Sequence, residues 1–144
     1  MQITRAGEYG VLGMIHLARC APGQAAIEEV SQKEEIPKSF LAKIFQYLVK
    51  AGLVHSVRGA GGGFVLSRPA TEITILQIIE AIEGKITLQR CLESQPDCDH
   101  MGRGCALCDI FGKAQDEMRE VLKQTTLADI LDKQNSIVSS KKPV

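Results

Sequence analysis

Apolar side chains recur along this chain at helical spacing, give way to two short β-prone runs, and then resume. Tyr9, Leu12, Ile15, Leu17 and Ala18 form a stripe behind Thr4, a residue suited to capping, and the stripe stops before Pro22-Gly23. A first helix is therefore predicted from about Arg5 to Cys20. A short second helix fits Ile27 to Lys33, and Glu34-Glu35-Ile36 makes a tight connection. Pro37 takes the favoured first-turn position of a third helix running to about Ala51, and Gly52 closes it. In that helix Leu41, Ile44, Phe45 and Leu48 fall at i, i+3, i+4 and i+7, which turns Lys38, Ser39, Ala42, Lys43 and Gln46 outward.

Leu53–Val57 and Phe64–Leu66 flank the glycine-rich turn Arg58-Gly59-Ala60-Gly61-Gly62-Gly63, the pattern of a hairpin. Thr74 then caps a helix with Ile75, Ile78, Ile79 and Ile82 on one face, ended by Gly84. From Lys85 to Cys108 helical periodicity is lost, and four of the five cysteines fall there. Asp109 to about Gln124 reads as a polar helix whose narrow seam of Ile110, Ala114, Met118, Val121 and Leu122 suits a helix partner. Thr126-Leu127-Ala128-Asp129 caps a short last helix, and Ser139 to Val144 reads as a disordered tail.

The fold class is thus mainly α with a small β-hairpin. A length of 144 residues with 44% hydrophobic side chains supplies one ordinary core. The formal charge is zero, which argues against a uniformly basic nucleic-acid binder, but the average hides an asymmetry. Residues 1–69 carry eight Lys/Arg against five Asp/Glu, and residues 70–144 carry nine against twelve. Apolar runs fall short of the roughly 18 residues needed to span a bilayer, and Met1-Gln2-Ile3-Thr4-Arg5 lacks a signal-peptide pattern. The expectation is a cytoplasmic protein without membrane contact, whose cysteines are thiols or metal ligands rather than a disulfide framework.

Two short helices, a tight turn, an outward-facing polar helix and a hairpin are, in that order, the parts of a winged helix-turn-helix. An amphipathic pair with wet lysines is by itself usually only a solvated surface; the Arg-bearing hairpin that follows tips the reading toward DNA. The third helix would place Lys38, Ser39 and Lys43 at base edges or phosphates in the major groove. Arg58 would enter an adjacent minor groove, with Gly59 and Gly61 letting the backbone pass close to phosphates. The glycines do not fit G-x-G-x-x-G, because Phe64 occupies the last required position, and a P-loop lysine is lacking. Nothing resembling a Ser/His/Asp or Cys/His catalytic set supports an enzyme.

Cys91, Cys98, Cys105 and Cys108 are separated by six, six and two residues, with Gly102 and Gly104 between them. Thiolates are soft ligands suited to iron-sulfur clusters and zinc, and the two wide intervals fit a cluster better than one tetrahedral ion. Zinc and a metal-free thiol switch remain the alternatives for the sensor, and an iron-sulfur carrier or electron-transfer protein is the rival from another class. His100 is a secondary ligand candidate. Cys20 reads as a small buried hydrophobe, His16 as a helix residue and His55 as a strand side chain.

The blocks Ile3-Thr4-Arg5-Ala6-Gly7-Glu8-Tyr9-Gly10, Phe40-Leu41-Ala42-Lys43-Ile44, Gly52-Leu53-Val54 and, most specifically, Ser56-Val57-Arg58-Gly59-Ala60-Gly61-Gly62-Gly63-Phe64 resemble the Rrf2 family of bacterial winged-helix regulators. The resemblance implies a homodimer crossing over through the helix near Asp109, with a cluster-binding loop beside it. It divides the chain into a DNA-binding domain over residues 1–84, a cysteine loop over 85–108, a dimerisation helix and C-terminal helix over 109–134, and a flexible tail over 135–144. Cys91, Cys98 and Cys105 match the family's cluster cysteines, at intervals one residue longer than in its iron-sulfur regulators, and Cys108 stands where a histidine ligand falls. Glu8 matches the place of an acidic ligand that some members take from the partner subunit. A two-iron cluster is favoured and a four-iron cluster stays open. The function implied is transcriptional regulation, as a repressor, at a palindromic site on double-stranded DNA, controlled by iron, redox state or nitric oxide.

Overall fold

The computed structural model describes residues 2–89, 92 and 105–140. Helix α1 spans Arg5–Cys20, α2 Ile27–Glu34 and α3 Lys38–Lys50; strands β1 (Val54–Val57) and β2 (Gly63–Leu66) follow. A 3-10 turn (Ala70–Glu72) leads into α4 (Ile75–Glu83), and α5 (Ala106–Gln124) and α6 (Leu127–Ser140) complete the described elements.

Capping chemistry sets the helix starts. The Thr4 hydroxyl accepts from the Gly7 amide, and Thr74 forms a full capping box with Gln77. Helix α3 begins at Lys38, one residue later than expected, because Pro37 serves as its N-cap: its carbonyl accepts from the Phe40 and Leu41 amides while its own nitrogen has nothing to donate. Helix α5 begins three residues earlier than expected, at Ala106, with Cys105 as N-cap, so Cys108 lies inside the helix and not in a loop. Helix α6 runs on to Ser140, so residues 135–140 of the expected tail are helical. Its start is fixed by a second reciprocal cap, in which the Thr126 amide donates to Asp129 Oδ2 at 2.9 Å and the Asp129 amide to Thr126 Oγ1 at 3.1 Å.

One core joins these elements. Met14 and Leu17 of α1, Leu41, Ile44, Phe45 and Leu48 of α3, Ile78 of α4 and Leu127 of α6 are all buried. The α1 helix approaches α3 and α4 through Gly10 and Gly13; a Cβ at Gly10 would collide with the Ile82 side chain, and one at Gly13 would sit 3.2 Å from the Phe45 ring. Beyond α5 the chain returns onto the start of α4, where the Leu127 amide donates to the Ile73 carbonyl at 2.8 Å and the Ile75 amide to that of Thr125 at 3.0 Å.

Candidate nucleic-acid interface and cysteine segment

The turn between α2 and α3 is built without glycine. Glu35 adopts the left-handed conformation (φ 55°), and the Ser31 carbonyl and hydroxyl close the turn on the Ile36 amide (3.0 Å) and carbonyl (2.5 Å). Helix α3 buries its apolar face and leaves Lys38, Ser39 and Lys43 exposed in its N-terminal half, as the spacing predicts. Lys38 is not idle there. Its ammonium sits 2.5 Å from Glu28 in the first turn of α2, and this hydrogen bond holds the Glu28 carboxyl below its ordinary range. Glu28 was not legible in the sequence as a partner of Lys38, because the pair forms across a turn and not along one helix.

The wing is a two-stranded antiparallel sheet pairing Val54 with Leu66 and Val57 with Gly63. Arg58, Gly59 and Gly61 lie exposed in its turn, with φ of 105° at Gly59 and 76° at Gly61, values that a side chain resists. A third, one-residue rung was not legible in the sequence: Ala25, between α1 and α2, exchanges both backbone hydrogen bonds with Phe64 at 3.0 and 2.8 Å. Gly63 is required by that rung, since a Cβ there would strike the Ala25 carbonyl. The Gln24 side-chain amide also donates to the Gly61 carbonyl, tying the wing turn to the same connection.

The cysteine segment is framed by α4 and α5. Gln115, buried in α5, accepts from the Leu88 amide at 3.0 Å, and Arg119 reaches the Ile86 carbonyl at 3.5 Å while pairing with Glu80 of α4 at 2.6 Å. Leu92 lies over Gly112, where an added Cβ would meet it at 3.7 Å. Cys105 and Cys108 are one helical turn apart, the Cys108 amide donating to the Cys105 carbonyl at 3.1 Å, and both are half-buried. Cys91, Cys98 and His100 lie outside the described residues. Glu8 is exposed in the first turn of α1.

A helix-turn-helix joined directly to a glycine-rich wing defines a winged-helix DNA-binding protein. The comparisons carry this further. Residues 3–133 match the Rrf2 family profile, described as iron-dependent transcriptional regulators. The chain is 30% identical over 139 residues to the regulator IscR of Serratia proteamaculans, covering 96% of this chain and 84% of that protein. Among solved structures it is similar to CymR, the global cysteine regulator of B. subtilis, with TM-score 0.77, 32% identity and coverage of 92% and 97%. It is also similar to IscR of T. potens, with the same TM-score of 0.77, 26% identity and coverage of 100% and 93%. The chain belongs to the Rrf2 family of DNA-binding transcriptional regulators, which are not enzymes. Among the described residues, no helix is long and apolar enough to cross a membrane.

Proposed function

We propose that this regulator acts as a cytoplasmic homodimer, a repressor at palindromic DNA whose affinity is set by an iron-sulfur cluster on Cys91, Cys98, Cys105 and Cys108. The observation that carries the reading is the placing of Cys105 and Cys108 one turn apart at the start of α5, at the end of a segment that begins with Ile86 and Leu88 fastened to that helix. Soft thiolate donors, two of them preset on a rigid element, fit a cluster. When bound, such a cluster supplies a centre that iron supply, oxygen, nitric oxide or redox change can build or dismantle. Glu8 is the alternative fourth ligand, offered by the partner subunit.

The chain's own residues would carry the change. Arg119 links Glu80 of α4 to Ile86 at the entry of the cysteine segment, and α4 packs on α1 and α3. A shift in the segment therefore reaches the helix that presents Lys38, Ser39 and Lys43. In α5, Leu107, Ile110 and Val121 are 60%, 57% and 63% exposed, too open for core positions, and with Ala114 they share one stripe. That stripe is what a second α5 would cover. Two recognition helices would then stand about one DNA turn apart, ~34 Å.

Anaerobic purification followed by iron, sulfide and zinc analysis tests the cofactor. Stoichiometric iron and sulfide, lost in Cys98→Ala, is the expected result. Zinc in place of iron that is lost in Cys98→Ala, or no iron and sulfide after anaerobic reconstitution, would contradict it and favour zinc or thiol sensing, the second reading that the likeness to a cysteine regulator supports.

A further inference from the structure

His16 and Cys20 stand one turn apart on α1, and the carboxylate of Glu29 reaches them from α2. The ring nitrogen of His16, Cys20 Sγ and a Glu29 oxygen all lie within 4.8 Å of one another. His16 is 3% exposed and has a carboxylate at each nitrogen: Glu29 Oε1 3.4 Å from Nε2 and Glu34 Oε1 3.3 Å from Nδ1. A neutral imidazole has one hydrogen, so it donates to one of these acids and turns a lone pair toward the other. A second ring proton would satisfy both acids, and so does a cation at Nε2, which alone also engages the nearby Cys20 Sγ. Nδ1–H then donates to Glu34, the carboxylate–histidine–metal arrangement that orients a ligating ring.

We infer that His16, Cys20 and Glu29 form a second metal site, separate from the cysteine segment, for a borderline divalent cation of the zinc type. One nitrogen, one thiolate and one carboxylate are the mixed donors that zinc accepts, and with a neutral ring the two anions balance its charge. Tetrahedral bonds of about 2.0–2.3 Å need ligand atoms on the order of 3.5 Å apart, so the three side chains must draw together by about 1 Å. The half-buried Cys20 and the Glu29 side chain at the surface of α2 can do so. An open cavity of about 590 Å³, lined in part by His16, Arg19, Cys20, Lys33 and Glu34, leaves room for a water as fourth ligand. Two cations oppose the charge, Lys33 at 3.9 Å from Glu29 and Arg19 at 3.7 Å from Glu34, but their side chains are 68% and 38% exposed and free to swing away. A bound cation would clasp α1 to α2, the helix whose Glu28 holds Lys38.

The test uses the full chain carrying Cys91→Ser, Cys98→Ser, Cys105→Ser and Cys108→Ser together, so that Cys20 is its one remaining thiol. Titration with Co²⁺ should give one ion per chain with thiolate-to-metal charge-transfer absorption, displaced by Zn²⁺. Adding Cys20→Ser or His16→Gln should abolish the band, whereas Glu34→Gln should keep it and weaken Zn²⁺ binding by about 10–100-fold. Absence of the band in the folded four-serine chain, or its persistence after His16→Gln, would overturn the site. If the four-serine chain does not fold, zinc per chain in the wild type against Cys20→Ser and His16→Gln decides: a fall of one is expected, and equal contents overturn it.

Discussion

On the proposed DNA-facing elements, single residues divide into those proposed to touch DNA and those that shape the backbone. Arg58→Ala should weaken binding to specific and random duplexes alike, whereas Ser39→Ala or Lys43→Ala should change base preference; fluorescence anisotropy on matched and mismatched duplexes separates the two, and equal losses for all three would refute the division. Glu28→Gln removes the partner that holds Lys38. The variant should bind DNA more tightly at low salt, with the log–log salt slope steeper by about 0.9, the contribution of one freed phosphate contact. An unchanged slope would mean that Lys38 does not reach DNA. Gly63→Ala should cost about 1–3 kcal/mol of unfolding free energy in urea melts, because its methyl meets the Ala25 carbonyl and the rung must open. Arg58, Lys38, Ser39 and Lys43 were singled out from the sequence; Glu28 and the reason for Gly63 were not, since both depend on contacts between segments that share no periodicity.

At the scale of elements, the sequence was legible wherever a cap or a helical stripe marked a boundary. Thr4, Thr74, Gly84 and the α3 stripe placed their helices because each cue is local. The start of α5 was not, because a cysteine carries weak propensity and Ala106-Leu107-Cys108 adds little periodicity ahead of Asp109. The end of α6 was missed because polar Gln134-Asn135-Ser136 resembles a tail. The cap of α6 also makes a pH prediction. The Thr126 amide, and then its hydroxyl, hold the Asp129 carboxyl below its ordinary value. A lowered carboxylate contributes stability that is present above the unfolded value, about 3.9, and is lost as pH falls through the folded one. The Tm of the wild type should therefore exceed that of Asp129→Asn at pH 7, and the gap should close below about pH 4; a gap that widened on acidification would contradict the assignment.

In the whole molecule, α4 and α5 join the winged-helix head to the cysteine segment. Ile110→Glu with Val121→Glu should convert the proposed dimer to a folded monomer in sedimentation, and a dimer unaffected by both charges would remove the α5 stripe from the interface. The pairing of Cys105 with Cys108 was legible as a spacing, but the fastening of Ile86 and Leu88 to α5 was not, since Gln115 and Arg119 read as ordinary surface residues of a polar helix. The most direct measurement is anisotropy on a duplex selected by the protein itself from a random pool, comparing anaerobically reconstituted wild type, the same protein after removal of iron, and Cys98→Ala. Regulation through the cysteine segment predicts that the two iron-free proteins agree and differ from the reconstituted one, by a factor on the order of 100 if the coupling is about 3 kcal/mol. Three identical binding curves would contradict it.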